Sequence, residues 1–310
     1  MTETFLDFGA RMRSTPWALS APGIARLRGF VDAGPRGARA SRPPPRRRGA
    51  AAGTSVISIV GFIDQHAGLF ETFGIGISCD TINAALNDAL ADPAVGRIVL
   101  DIDSPGGSVY GVGELAASIR AARSQKPIIA IANSLAASAA YWLGCSASRF
   151  YMSPGAEVGS IGVWMAHEDW SKAVADSGVA VTLISAGKYK VEGNPYSPLD
   201  ADARAFLQSR TDAYYSDFTK AVAAGRGVPI DAVRSGMGQG RVLGAAQALQ
   251  AGMVDAVATF GEVLGGHGAA RAGMSAAAAR DELTLLALGA RRSAPRPNVA
   301  AALRELDRLD

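Results

Sequence analysis

Arg97-Ile98-Val99-Leu100-Asp101-Ile102-Asp103-Ser104-Pro105-Gly106-Gly107 decides how this chain folds. Ile98 to Ile102 has the length and apolar content of a buried strand. Pro105-Gly106-Gly107 predicts a rigid turn with freedom for positive φ. A helix through Glu114 to Arg123 follows. The alternation continues outward in both directions. Upstream, Ser55 to Gly61 is a β-branched run that predicts a strand, and Thr81 to Leu90 predicts a helix capped by Asp80 or Thr81 and stopped at Asp92-Pro93. Downstream, Pro127 to Ala132 predicts a strand that leads into a helix beginning near Ser138. Arg149 to Met152 is a further strand, ended by Ser153-Pro154-Gly155, and Ser160 to Trp164 and Val179 to Ile184 continue the pattern. A long helix is expected from Asp200 to Arg226. Strands alternating with helices at this spacing give an α/β fold with a mostly parallel sheet.

The chain has 310 residues, 48% apolar and 19% charged, enough for a sizeable core. Its isoelectric point near 9.0 invites a nucleic-acid or membrane reading until the charges are located. Arg36, Arg39, Arg42, Arg46, Arg47 and Arg48 lie in one short segment, and subtracting these six from the net charge of +3 leaves −3. The basicity is therefore local, and the body carries no electrostatic footprint for nucleic acid. Cys79 and Cys145 have no metal-type spacing, so a reducing, cytoplasmic compartment is expected. The N-terminus lacks the apolar core of a signal peptide. Pro127 to Gly144 contains Asn133, Ser134 and Ser138 and reads as a strand passing into a helix, so no membrane anchor is expected.

Four segments follow from composition. Residues 1–30 hold a short amphipathic piece with Trp17, Leu19, Ile24 and Leu27, and residues 31–54 have the Arg/Pro-rich composition of a disordered linker. Residues 55–265 form the main domain. Residues 266–310 are an Ala/Arg-rich tail with a short helix expected at Val299 to Leu309.

Three features carry chemistry. Ser138 sits in Ala136-Ala137-Ser138-Ala139-Ala140, where small residues let a helix start approach other backbone and the Ala139 N–H face an oxygen bound beside the hydroxyl. The Gly106-Gly107 turn can supply a second N–H donor, and its lack of side chains lets a peptide lie close. A lysine base is available at Lys188 or Lys190, which composition does not separate. Such a base works only when its ammonium is taken out of water. Ser160, in Val158-Gly159-Ser160-Ile161-Gly162-Val163, could hold the ammonium or relay a proton. The bland readings are a packing serine, an ordinary strand-to-helix turn and solvated loop lysines; only the combination outweighs them. His66, His167 and His267 are widely spaced and form no histidine-based site. No metal-ligand cluster, phosphate loop or dinucleotide fingerprint is present in the sequence.

Taken together, these residues resemble the signal peptide peptidase A (protease IV) family of serine peptidases, and within it the phage head-maturation, or capsid assembly, proteases. The resemblance covers roughly residues 55–265. Asp103-Ser104-Pro105-Gly106-Gly107 is similar to the family's oxyanion motif, and Ala136 to Trp142 to its nucleophile motif, with Ala139-Ala140 where many bacterial members carry Gly-Gly. The resemblance implies Ser138 as nucleophile and Lys190, 52 positions later, as base. It implies Gly106, Gly107 and Ala139 as oxyanion donors and Ser160 as the residue that positions the lysine. It further implies a crotonase/Clp-like fold of stacked ββα units, a homo-oligomer in which Lys190 could serve a neighbouring copy, and no cofactor or metal. The expected substrates are capsid or scaffold proteins inside a prohead, with self-cleavage in the arginine-rich segment near residues 36–53 as a further possibility of the same chemistry. Only about 45 residues follow the core, so a scaffold is expected from another gene or from this short tail. A soluble peptidase of peptide remnants, a catalytically silent scaffold and, less well matched, a crotonase-like acyl-CoA enzyme are the alternatives.

Overall fold

A computed structural model describes residues 15–33, 46–48 and 53–266. Twelve described strands, in chain order, are β1 (Trp17–Leu19), β2 (Arg46–Arg48), β3 (Thr54–Val60), β4 (Phe62–Asp64), β5 (Gly76–Ser78), β6 (Arg97–Ser104), β7 (Gly106–Ser108), β8 (Ile128–Ala137), β9 (Arg149–Met152), β10 (Glu157–Gly159), β11 (Val242–Gly244) and β12 (Ala256–Val257). They form two sheets. The larger runs β11-β10-β8-β6-β3-β2, with β9 on β8 and β12 on β9; the smaller runs β1-β7-β4-β5. Pairing is parallel through β3, β6, β8, β9 and β12, and antiparallel at the β2 and β11 ends. This is the expected α/β class with a mostly parallel sheet.

Both faces of the central strands are covered, which is why they read as near-continuous apolar runs. Ile98, Leu100 and Ile102 face a core built with α3 (Cys79–Ala91) and α4 (Val112–Ala122) after α1 (Ala21–Ala33) and α2 (Leu69–Thr72) in chain order. Val99 faces the opposite way, onto Val56, Ile131, Tyr151 and the β12 segment. The α3 helix starts earlier than its pattern suggests. Ser78 is the N-cap, its Oγ accepting from the Thr81 N–H at 3.1 Å, so Asp80 and Thr81 lie inside the first turn. The stop at Asp92 is as expected.

After β8 come the short α5 (Ala139–Gly144) and α6 (Ser171–Asp176), then the long α7 (Ala201–Arg226). Asp200 caps α7 through the Ala203 N–H at 2.7 Å, and Gly227 ends it at φ 66°. The α7 helix packs on α5 through Trp142 and Phe218, stacked 4.7 Å apart with rings 7° from parallel. Its last residue, Arg226, is clamped under the sheet. Nη1 and Nη2 donate to the two carboxylate oxygens of Asp255 at 3.1 and 3.0 Å, and Nε donates to the Gly252 carbonyl at 2.9 Å. Asp255 also accepts from the Phe150 N–H at 2.6 Å, tying α7 to β9. The last helices are α8 (Ile230–Gly236), α9 (Ala245–Gln250) and α10 (Phe260–Leu264).

Two expected strands do not form. Residues 160–164 contribute only a bridge at Trp164, the strand proper being β10 just before them. Val179 to Ile184 lies in an exposed arm with no regular structure, because its apolar side chains find no neighbouring strand within the chain. Of the expected linker, Arg46–Arg48 pairs antiparallel with β3 as an edge strand. Residues 31–33 end α1 and Thr54 begins β3, so these ends of the expected disordered linker are ordered; residues 34–45 and 49–52 lie outside the described residues, as do residues 1–14, His267 and the rest of the tail with its expected helix. Trp17 and Leu19, grouped by composition with a separate N-terminal piece, are built into the smaller sheet. No helix among the described residues is long and apolar enough to cross a membrane.

Burial pushes the Asp255 carboxyl up, but the bonds from Arg226 and the Phe150 amide outweigh it and hold the carboxyl below its ordinary range. Its stabilisation is therefore complete above the unfolded carboxyl pKa of roughly 4 and is lost as pH falls through the lower folded value. Asp255→Asn should cost about 3 kcal/mol at neutral pH, since it strands a largely buried guanidinium. In urea unfolding, the gap between wild type and variant should narrow at pH 3.

Candidate active site

The β8 strand carries the site to its position. Its first half pairs with β6 residue for residue from Ile98↔Ile128 to Ile102↔Ala132, and then Ser104 pairs with Ala136. Two steps along β6 thus match four along β8, leaving a two-residue bulge around Asn133 and Ser134. Asn133 is held there by Asp101, at 3.1 Å from Nδ2 to Oδ1. Beyond the bulge, β8 switches partner from β9 to β10, with Ala137 opposite Gly159.

Ser138 and Ser160 are the next residues of these paired strands, so they are neighbours across the sheet. Both hold left-handed backbone, at φ 58° and 54°, unusual for residues with a Cβ. The surrounding bonds fix them. The Ser138 N–H donates to the Gly159 carbonyl at 2.7 Å, and the Ser160 N–H donates to the Arg241 carbonyl at 2.8 Å. Ser138 turns the chain from β8 into α5, and the Trp142 N–H closes the first helical turn on its carbonyl at 3.0 Å. Its Oγ lies 3.5 Å from the Gly162 carbonyl, the outer limit of a hydrogen bond. Ser138 and Ala139 are fully buried, and Ser160 nearly so.

The glycine turn sits against Ser138. Gly106 has φ +98°, and a Cβ there would lie 3.0 Å from Ser138 Cβ, 2.9 Å from the Ala137 carbonyl and 2.2 Å from the Ala18 carbonyl. A Cβ on Gly107 would lie 1.8 Å from the Ile63 carbonyl. No side chain fits at either position. The Gly106 N–H donates to Ser104 Oγ at 3.1 Å. Ser138, Ala139, Ser160, Gly106 and Gly107 are therefore brought together, and Ser104 joins them as a residue that sequence reading left unassigned. Its signal was its place inside the quoted turn.

Lys190 is not brought to Ser138 within one copy of the chain. It is exposed, on the arm that spans residues 165–200, and its side chain makes no hydrogen bond or ion pair among the described residues. The arm is stapled at its base. The Trp170 N–H donates to the Pro195 carbonyl at 2.7 Å, and His167 Nε2 lies 3.0 Å from the Asn194 carbonyl, a structural role for that histidine. Lys188 Nζ lies 4.7 Å from the ring centroid of Tyr189. Along the arm Val179, Val181, Leu183 and Ile184 are exposed, Ile184 at 94%.

Residues 120–267 match peptidase family S49. The chain is 37% identical over 203 residues to the capsid assembly protease C of Escherichia phage lambda, an overlap of 66% of this chain and 46% of the relative. It is 36% identical over 231 residues to the head-tail preconnector protein of Enterobacteria phage P21, covering 73% and 45%. A putative signal peptide peptidase of Enterococcus faecium is 26% identical over 167 residues, covering 54% and 48%. The chain thus spans just under half the length of each phage relative. Residues 120–267, which include Ser138, Ser160 and Lys190, thus form a peptidase S49 domain, and the glycine turn lies just ahead of it in the sequence.

Proposed function

We propose that this chain is a serine endopeptidase with a Ser138-Lys190 dyad that cleaves capsid or scaffold proteins during phage head maturation. The observation that carries the reading is Ser138 itself. A buried residue with a Cβ is held at φ 58° on a strand-to-helix turn, its Cβ against a glycine turn that admits no side chain. Strain of this kind costs about 1–3 kcal/mol and persists where function requires it. The likeness to the capsid assembly protease of phage lambda supports the substrate class.

In the proposed reaction, neutral Lys190 Nζ takes the proton of Ser138 Oγ as the oxygen bonds to a peptide carbonyl carbon. The carbonyl oxygen, now an anion, accepts hydrogen bonds from the Gly107 and Ala139 N–H groups. Gly106 shapes this turn, its own N–H being held by Ser104. Collapse of the adduct breaks the C–N bond, and Lys190 returns the proton to the departing amine. Water then attacks the acyl-serine by the same route and restores Ser138. Ser160, beside Ser138 at the end of β10, orients the lysine.

A lysine serves as a base only when it is taken out of water, so the dyad needs Lys190 covered beside Ser138. The exposed apolar side chains of the arm favour a second copy of this chain as the cover. A head-to-tail arrangement of copies would lay each arm over its neighbour and deliver Lys190 in trans.

Ser138→Ala and Lys190→Met should each abolish cleavage of the cognate capsid protein, read by intact mass. Mixing the two inactive variants before assembly should restore about a quarter of wild-type activity if each site draws on two copies of a heterologous interface. No recovery would place both residues in one copy. The rate should rise with pH as the lysine deprotonates, and a flat single-turnover rate between about pH 6 and 9 would remove the lysine base. Ser138→Gly should be about 1 kcal/mol more stable than Ser138→Ala in urea, because glycine relieves the positive φ.

A further inference from the structure

Ser138 is fully buried, and a nucleophile that attacks polypeptide has to be reached by one. What covers it is part of this chain. Thr15 to Ser20 is buried along its whole length and runs beside the glycine turn in the smaller sheet. The β1 strand within it runs antiparallel to β7, with Trp17 opposite Ser108, Ala18 opposite Gly107 and Leu19 opposite Gly106. On its other edge Trp17 exchanges both backbone bonds with Trp164, at 2.9 and 3.0 Å, and Trp164 Nε1 donates to the Leu19 carbonyl at 3.2 Å.

The ladder on β7 has a definite phase. The Ser20 N–H donates to the Pro105 carbonyl at 2.9 Å, and the Val109 N–H donates to the Pro16 carbonyl at 3.2 Å. Hydrogen-bonded pairs alternate in an antiparallel ladder, so the pair between those two, Ala18 with Gly107, also faces N–H to C=O. The Ala18 carbonyl and Ser138 Cβ both lie within 3.0 Å of the point where a Cβ on Gly106 would stand. An extended peptide adding to the same edge of β7 would have to present its carbonyl in that place.

We infer that Thr15–Ser20 is a built-in strap that occupies the peptide-binding strand, so that the site as folded is closed and opens only when this segment withdraws. The inference rests on the reading of Ser138 as the nucleophile. The anchor suits withdrawal. Trp17 and Leu19 join a small satellite cluster with Leu27, Phe62 and Phe70, and only Ala18 between them reaches the main core. In the following α1 helix, Gly23 and Leu27 are buried while Arg26, Arg28 and Gly29 face solvent. The β1 strand belongs to the smaller sheet, so its departure breaks no pairing of the parallel sheet.

The test uses the full chain carrying Ser138→Ala, which removes chemistry, and a fluorescein-labelled peptide with the sequence of Thr15–Ser20. Adding Ala18→Pro deletes the N–H that faces Gly107 and disfavours the strand. The doubly substituted chain should bind the peptide at least about tenfold more tightly, because a site closed more than nine-tenths of the time lowers apparent affinity by that factor. Equal affinities, or no binding to the loosened chain, overturn the strap. If Ala18→Pro does not fold, Leu19→Gly loosens the same ladder and the same comparison decides. Stopped-flow binding to the Ser138→Ala chain alone gives an independent reading. An observed rate that levels off with peptide concentration supports a strap that opens first, whereas a rate that rises linearly at an unloosened affinity equal to that of the variant overturns it. If the loosened chain binds tightly but its Ser138-intact form never cuts the peptide, the strap stands and the peptidase reading falls.

Discussion

The site depends on three stretches of backbone meeting at Gly106 and Gly107 without an intervening side chain. The Ile63 carbonyl would be 1.8 Å from a Cβ on Gly107, and the Ala18 carbonyl 2.2 Å from one on Gly106. That closeness is a steric condition on sequence. It fixes β7 between β1 and β4, presses Ser138 against the turn, and leaves backbone groups in place of side chains there. Backbone donors of this kind are stiff, and stiffness is what makes electrostatic stabilisation effective in a transition state.

The parts legible in sequence were those whose physics is local. Ile98 to Ile102 announced a buried strand because both its faces meet core, and Asp200 and Gly227 bounded α7 by ordinary capping. The turn at Pro105-Gly106-Gly107 and the small residues around Ser138 were readable for the same reason. Their requirement is for a missing or minimal side chain at a numbered position, which composition displays directly.

What could not be read depends on pairing between distant segments. Val179 to Ile184 has the β-branched content of a strand but no edge to join, so propensity alone misassigned it. Trp17-Ala18-Leu19 is too short to announce itself, yet β7 and Trp164 offer it two edges at once. The placement of Lys190 was illegible for a related reason: nothing in the composition of its loop shows that this lysine stays exposed while Ser138 is buried. The positive φ of Ser138 and Ser160 is likewise imposed by the Gly159 and Arg241 carbonyls and not by the serines.

The bulge at Asn133 and Ser134 separates β8 into two mechanical halves. The first half is locked into the core by five consecutive pairings with β6, whereas the second keeps one such pairing, Ser104 with Ala136, and otherwise answers to β10. Two residues of slack lie between them on the solvent side, held by the side chains of Asp101 and Ser153 and not by the ladder. Core and Ser138 can therefore drift separately in evolution. Repacking at Ile128 or Ile131 is absorbed before it reaches Ser138, and the serine can be re-aimed by tenths of an ångström without reopening the hydrophobic centre. A fold that has to keep one strained residue in register gains tolerance from this joint, because the cost of change in one half is not passed to the other.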